Sequence, residues 1–234
     1  MDVDYRKFRL NKLNTPEFRH IYLLLFWPIY GLVFFYLERI RPVEEYHTMY
    51  CALDDHIPFC EWFVFPYLLW FLFFGGMVAL TFFIDVKAFK HMMQFIIITH
   101  AIAIFIFFVY PNSQNLRPEV FPRDNILTRF MAGFYEFDTN TNVCPSLHVV
   151  GSVAAMFAGW DSKYFSSRGW KIVFAITTVL ISISTVFLKQ HSAMDILVAI
   201  PICLLGYWLV YRLPQTVANR AGSPVFKKKE ETSV

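Results

Sequence analysis

Long apolar segments alternate with polar ones along most of the chain. A helix needs roughly 20 apolar residues to cross a hydrocarbon core of about 30 Å. Six segments approach this length, the fourth being the shortest: 21–37, 62–83, 92–110, 146–160, 170–188 and 192–211. The pattern predicts an all-α fold, a polytopic membrane bundle of about six transmembrane helices.

The composition agrees with a membrane protein. Hydrophobic residues make up 56% of the 234 residues and charged residues only 17%, which is more apolar surface than a soluble domain of this size can bury. Phenylalanine-rich runs at 71–74 and 105–108 would be aggregation hazards in water but are favourable against lipid. The net charge of +3 is too small to indicate a nucleic-acid partner.

The basic residues predict the orientation of these helices. With both termini in the cytoplasm, 15 of the 21 lysines and arginines fall on the inner side and six on the outer side, which the positive-inside rule favours. We therefore expect a cytoplasmic N-terminal segment (1–20), a membrane domain (21–213) and a polar cytoplasmic tail (214–234). Because the first segment is polar and charged, we expect no cleaved signal peptide.

Two long loops are predicted on the outer side. The first, 38–61, is rich in acidic residues, including Asp54, Asp55 and Glu61, and we expect a solvated loop that pairs with Arg39 or Arg41. The second, 111–145, contains a predicted surface helix at 124–137, either a lid over the outer mouth or an interfacial anchor. Whether Cys51 and Cys60 form a disulfide is left open.

One candidate site is the start of the fourth apolar segment, Cys144-Pro145-Ser146-Leu147-His148. Pro145 suits the first position of a helix, whose first-turn amides bind phosphate readily. The Ser146 hydroxyl can add a donor, and His148 can protonate a leaving oxygen. The alternative is a capped helix start with an incidental histidine.

A second candidate site precedes the last apolar segment. His191 and Asp195 are four residues apart and therefore share a helical face, so the carboxylate can orient the imidazole as a nucleophile. A structural His–Asp pair between helices is the alternative. The third candidate is Arg117, followed by Pro118, whose guanidinium can hold two phosphate oxygens. All three sites fall on the same predicted side of the membrane.

These three elements, in this order and spacing, resemble the signature of the type 2 phosphatidic acid phosphatase (PAP2) superfamily across roughly 62–211. The resemblance implies that His191 attacks phosphorus, that Asp195 orients it and that His148 protonates the leaving group. Basic residues hold the phosphate in that family, which implies this role for Arg117, with Ser146 and Lys189 beside it. The resemblance implies neither a metal nor another cofactor.

The sequence departs from the family signature at several positions. Tyr110 stands where the first motif usually has lysine, Leu147 replaces the glycine of the middle motif, and Ser184-Thr185 replaces Ser-Arg. Two expected phosphate-binding cations are therefore absent, and Lys189 is a candidate replacement for one of them. The Pro-Ser-Leu-His form resembles the branch that includes inositol phosphorylceramide synthases, which transfer phosphoryl head groups between lipids.

The resemblance implies a lipid phosphatase that acts on phosphatidic acid or a polyprenyl phosphate or diphosphate through a phosphohistidine. Head-group transfer is the first alternative, because a diester carries one negative charge and needs fewer cations than a monoester. A non-catalytic lipid-binding protein is the second. We expect a plasma-membrane protein with an extracytoplasmic active site, although the lumenal face of an internal membrane fits equally well.

Overall fold

The computed structural model describes residues 3–216, and these are mostly helical. Two strands of two residues each, β1 (His47–Thr48) and β2 (Asn112–Ser113), accompany the helices, and short 3-10 and π-helical turns extend some helix ends. The α-helices are α1 (Phe26–Phe35), α2 (Val64–Ile84), α3 (Val86–Val109), α4 (Ile126–Phe137), α5 (Leu147–Asp161), α6 (Arg168–Phe187) and α7 (Ala193–Tyr207).

Five helical stretches of the described chain are long and apolar enough to cross a membrane: Arg19–Ile40, Glu61–Ile84, Val86–Val109, Arg168–Phe187 and Ala193–Thr216. They correspond to five of the six predicted segments. The remaining segment forms α5, whose 15 residues extend about 22 Å. This helix is shorter than the hydrocarbon core is thick.

Helix α5 lies at the centre of the bundle, where it packs against α2, α3, α6 and α7. Its buried residues are mostly small, and they let neighbouring helices approach closely. A Cβ atom added to Gly159 would lie 2.7 Å from the ring of Phe174, so glycine is required for this approach. The central position of α5 places the residues of its first turn at the middle of one end of the bundle.

The opposite end of the bundle holds the N-terminal segment and the connection between α2 and α3. Asp85 alone separates these two helices; its carboxylate accepts hydrogen bonds from the Ala88 amide at 3.2 Å and the Ser162 hydroxyl at 2.9 Å. The hydroxyl of Tyr5 donates to the carbonyl of Phe82 at 2.5 Å. Of the predicted tail at 214–234, residues 217–234 lie outside the described part, and so do Arg220 and the three lysines 227–229 that entered the charge count.

The two long loops lie together at the end of the bundle where α5 and α7 begin, and we call this end the loop face. Strands β1 and β2 pair in parallel, with His47 opposite Asn112 and Thr48 opposite Ser113. Ser113 also forms an antiparallel bridge with Thr141. The loop between α1 and α2 is therefore joined by its backbone to the loop between α3 and α5.

The expectation of a solvated acidic first loop is wrong for two of its residues. Asp54 and Glu61 have exposed fractions of only 3% and 2%. Glu61 accepts two hydrogen bonds of 2.7 Å from Arg123 of the second loop, rather than pairing with Arg39 or Arg41. A charged group is buried at low cost only when it has partners, and packing of the second loop over the first supplies them.

The predicted surface helix is present as α4, which begins one residue after its cap, Asn125. Met131 is fully buried against the bundle, whereas Ile126 and Phe137 are largely exposed. Cys51, Cys60, Cys144 and Cys203 are all free thiols, so the question of a disulfide between the first two is answered for this structure.

Candidate active site

His191 lies two residues before α7 and is held by the first turn of that helix. Ser192 is the N-cap and forms a capping box with Asp195. The Oδ2 atom of Asp195 lies 2.9 Å from Nδ1 of His191 and accepts a 3.1 Å hydrogen bond from the Ser192 amide. Because a carboxylate only accepts hydrogen bonds, Nδ1 carries the proton, and in the neutral ring Nε2 retains a lone pair.

His148 is the second residue of α5 and faces His191. Its Nδ1 atom lies 3.3 Å from Nε2 of His191. Two rings of α2 pack against the imidazole, with centroid distances of 4.7 Å for Tyr67 and 4.8 Å for Trp70. Gly151 makes room for this arrangement, because a Cβ there would lie 3.1 Å from the Trp70 indole. The sequence analysis did not identify these aromatic supports, since rings are frequent throughout this chain.

The two histidines open onto a cavity of about 80 Å³ on the loop face. Ligand sites for whole drug-sized molecules are typically roughly 300–1,000 Å³, so this cavity suits a phosphoryl group rather than an entire lipid. Its lining combines residues of α1, the second loop, α5 and the turn between α6 and α7: Phe34, Asp138, Thr139, Thr141, Asn142, Val143, Leu147, His148, Gln190 and His191. Five of these polar residues, Asp138, Thr139, Thr141, Asn142 and Gln190, were not singled out from the sequence.

Arg117 lies close to this site, but its guanidinium nitrogens donate hydrogen bonds to other groups of the protein. Its guanidinium donates to the carbonyls of Tyr135, Asp138 and Thr139 at 2.8–3.0 Å and to Oε1 of Gln190 at 2.6 Å. It also stacks over the Tyr135 ring at 4.5 Å. Burial lowers the pKa of Arg117, against the opposing effect of the Asp138 carboxylate. The side chain does not line the cavity.

Ser146 and Lys189 are likewise adjacent to the cavity without lining it. Ser146 is the N-cap of α5 and is fully buried, with its hydroxyl accepting from the Val149 amide at 3.5 Å. Pro145 therefore lies before the cap, not at the first helical position as predicted. Lys189 donates from Nζ to the carbonyl of Asp54 at 2.9 Å and has a left-handed backbone with φ of 51°.

Two positions where the family signature would place cations have other partners. The Tyr110 ring stacks on His47 with a centroid distance of 4.0 Å. The Thr185 hydroxyl donates to the carbonyl of Ser182, while the Thr185 carbonyl accepts from the amides of Gln190 and His191 at 2.9 and 3.2 Å. The last turn of α6 thus fixes the backbone that carries the histidine.

A groove adjoins the cavity between α1 and the end of α4. It has a volume of about 220 Å³ and is lined by Gly31, Phe34, Phe35, Glu38, Arg39, Phe137, Asp138 and Thr139. Phe34, Asp138 and Thr139 line both spaces. The groove therefore leads from the apolar surface of a candidate membrane span to the histidine pair.

The part of the chain that the structure describes holds no group of three or more His, Cys, Asp or Glu residues arranged to bind a metal ion. The site itself offers an oriented imidazole, a second imidazole beside it, and the amides of Leu147 and His148 in the first turn of α5.

Comparison with known proteins identifies the family. No protein of curated function and no solved structure matches the chain. The family model described as PAP2 superfamily matches residues 92–218, more than half of the 234 residues, and its range includes Arg117, His148, His191 and Asp195. The chain therefore belongs to the PAP2 superfamily.

Proposed function

We propose that this protein is an integral membrane phosphatase that removes phosphate from a lipid phosphate through a phosphohistidine at His191. Members of the superfamily are phosphatases or phosphotransferases, which supports an enzyme. The observation that carries the proposal is the histidine pair, in which Nε2 of His191 points toward His148 across 3.3 Å while Nδ1 is held by buried Asp195. If His191 and Asp195 formed only a structural pair, they would not need the second imidazole of His148 beside them at a cavity.

The reaction has two steps. Nε2 of His191 attacks phosphorus, the bond from phosphorus to the lipid oxygen breaks, and protonated His148 gives its proton to that oxygen. Asp195 stabilises the positive charge that develops on the His191 ring. Water then attacks the phosphohistidine, His148 takes a proton from that water, and inorganic phosphate leaves as the P–N bond breaks.

The negative charge of the transferred group needs preorganised donors. The amides of Leu147 and His148 lie in the first turn of α5, where a helix has unpaired N–H groups that favour anions. Positioned donors of this kind supply much of the catalysis in phosphoryl transfer. We assign Arg117, Ser146 and Lys189 to shaping this region, through the contacts that each of them makes.

The groove beside the cavity supports a lipid as the substrate. A phosphate at headgroup depth can reach the histidines while its hydrocarbon tail lies along Gly31, Phe34 and Phe35 of α1. We further propose that the loop face is extracytoplasmic, that both termini are cytoplasmic and that the enzyme resides in the plasma membrane. The distribution of basic residues supports this orientation.

The test is phosphate release from dispersed phosphatidic acid and from a polyprenyl diphosphate. His191→Ala should abolish release and leave the thermal unfolding temperature of the purified protein near that of the unmodified chain. His56→Ala is the matched control, because His56 is an exposed loop histidine. Release that persists in the His191 variant refutes the mechanism.

Head-group transfer of the inositol phosphorylceramide synthase type is the second candidate. The cavity wall includes Thr139, Thr141 and Asn142. These side chains donate to Glu38 but keep oxygen atoms that can accept a hydrogen bond from an alcohol. With a diester lipid labelled in its head group, transfer to an added alcohol without release of inorganic phosphate would favour this candidate.

A further inference from the structure

One wall of the cavity is built by the C-terminal end of α4 and the residues that follow it. This segment, 135–139, is fastened by the guanidinium of Arg117, which donates to three of its carbonyls. Gln114 adds a second attachment, because its backbone carbonyl accepts from the Asn140 side chain at 2.7 Å and its amide donates to the Asn140 carbonyl at 3.0 Å. Three hydrogen bonds of Arg117 therefore go to the protein backbone.

Gln190 connects the Arg117 guanidinium to the side chain of Asp138, which lines the cavity. Its Oε1 atom accepts from Arg117 at 2.6 Å, and its Nε2 atom donates to Oδ2 of Asp138 at 3.2 Å. The bond to Gln190, the residue that precedes His191, therefore holds the Asp138 carboxylate at the cavity wall. Among the described residues, the side chains that line the cavity include this carboxylate and neither lysine nor arginine.

We propose that Asp138 is a specificity-determining residue that makes the site favour a phosphate with one negative charge over a phosphate with two. Arg117 and Gln190 are the positioning residues that hold the carboxylate in place. The inference rests on the function proposed above and narrows it, because it makes the singly charged form of a lipid phosphate the better substrate. It concerns which charge state the site accepts, and it holds whether the acceptor is water or an alcohol.

The physical basis is repulsion inside a small, partly buried space. Two like unit charges about 6 Å apart change an equilibrium constant by about tenfold, even when the effective dielectric constant is roughly 40. A doubly charged phosphate meets this repulsion twice. A singly charged phosphate meets this repulsion once. The first-turn amides of α5 then offset a larger share of the repulsion.

Several charged or titratable groups act on Asp138. Burial raises the pKa of Asp138, and the neighbouring His191 and Arg117 side chains oppose this effect. Glu38 raises the same pKa further by repulsion. The buried Tyr67 hydroxyl lies close enough to interact with the carboxylate as well. The test is therefore run at pH 8.5, far above the usual range of a carboxyl group, so that Asp138 carries its charge.

The test compares phosphatidic acid with its methyl ester, phosphatidylmethanol, which have identical tails. At pH 8.5 the first is mainly doubly charged and the second carries one charge. Diacylglycerol release is measured for both lipids, because both give this product when His191 attacks phosphorus and the lipid oxygen leaves. We expect kcat/KM to be about tenfold higher for the methyl ester.

Variants assign this preference to the carboxylate. Asp138→Asn keeps an oxygen that can accept from Gln190 but removes the charge, and it should reduce the preference by about tenfold. Asp138→Glu restores the charge and should restore most of the preference. Glu136→Gln is the matched control, because Glu136 is exposed two residues earlier on α4 and should leave the ratio unchanged.

The outcomes separate the inference from the proposed function. A ratio for the unmodified protein that equals one or favours phosphatidic acid overturns the inference without any variant. An unchanged ratio in Asp138→Asn, with release still dependent on His191, also overturns it. By contrast, no release from either lipid, or release unaffected by His191→Ala, means that the proposed function itself has failed.

Discussion

Replacing Asp54 with alanine should destabilise the protein strongly, although Asp54 lies in a loop far from α7 in sequence. Its carboxylate binds the start of α7, accepting from the Ser192 hydroxyl at 2.5 Å and from the Ala193 amide at 2.8 Å. It also accepts from the Cys51 amide at 2.9 Å. These contacts hold the turn that contains His191.

The expected magnitude follows from the donors that lose their partner. The Ser192 side chain and the Ala193 backbone are buried, and an unpaired buried donor costs about 1–3 kcal/mol. Asp54→Ala should therefore lower the free energy of unfolding by about 2–5 kcal/mol. For a chain of this length, each kcal/mol shifts the unfolding temperature by about 2–4 °C, so a decrease of about 4–20 °C is expected.

The assay is thermal unfolding of the purified protein in detergent, followed by tryptophan fluorescence. Asp55→Ala is the matched control, because Asp55 is exposed and its side chain binds only the Tyr50 hydroxyl among the described residues. The control should stay within about 2 °C of the unmodified protein, as expected for a surface change. An equal effect of the two substitutions would refute the assignment of Asp54 as the support of α7.

Two further predictions concern the residues around the proposed nucleophile, His191. Lys189 has a positive φ, which disfavours every residue with a side chain. Lys189→Ala should therefore be about 1 kcal/mol less stable than Lys189→Gly. Chemical unfolding of both variants measures the difference, and a more stable alanine variant would contradict backbone strain at this position. Asp195→Asn removes the charged acceptor from Nδ1 of His191, so kcat should fall by about 10³-fold or more while KM changes little; a fall in substrate affinity instead would contradict an orienting role.

The pairing of His191 with Asp195 could be predicted from sequence because it depends on short-range geometry. His191 and Asp195 are separated by four residues, and the helix start after Ser192 makes this spacing a contact. His148 could be predicted for a similar reason, since the proline and serine before it mark a helix start. The meeting of these two helix ends agrees with their predicted location on one side of the membrane.

The surroundings of the pair could not be predicted, because they depend on groups without a sequence signature. Arg117 binds backbone carbonyls, and every residue has one, so no pattern distinguishes a guanidinium that faces substrate from one that fastens a loop. Asp138 has no motif around it and reaches the cavity only because α4 ends there. The burial of Glu61 depends on Arg123, which is 62 residues away in sequence.

The length of α5 was also difficult to predict. Its residues are apolar enough to extend the pattern of membrane segments, but many of them are alanine, glycine or serine, which fit between helices better than they face lipid. Hydropathy does not distinguish contact with lipid from contact with other helices. A short central helix and a spanning helix therefore give similar signals.

The pairing of β1 with β2 has a consequence for how this protein can be altered. Because the first loop is bonded to the second at His47 and Thr48, and Asp54 is bonded to α7, the pieces around the cavity are interdependent parts of one assembly. If one loop alone were replaced by that of another family member, it would lose the backbone and side-chain partners that the other loop supplies. Chimaeras that aim to transfer substrate preference should therefore exchange 41–60 and 110–146 as a unit.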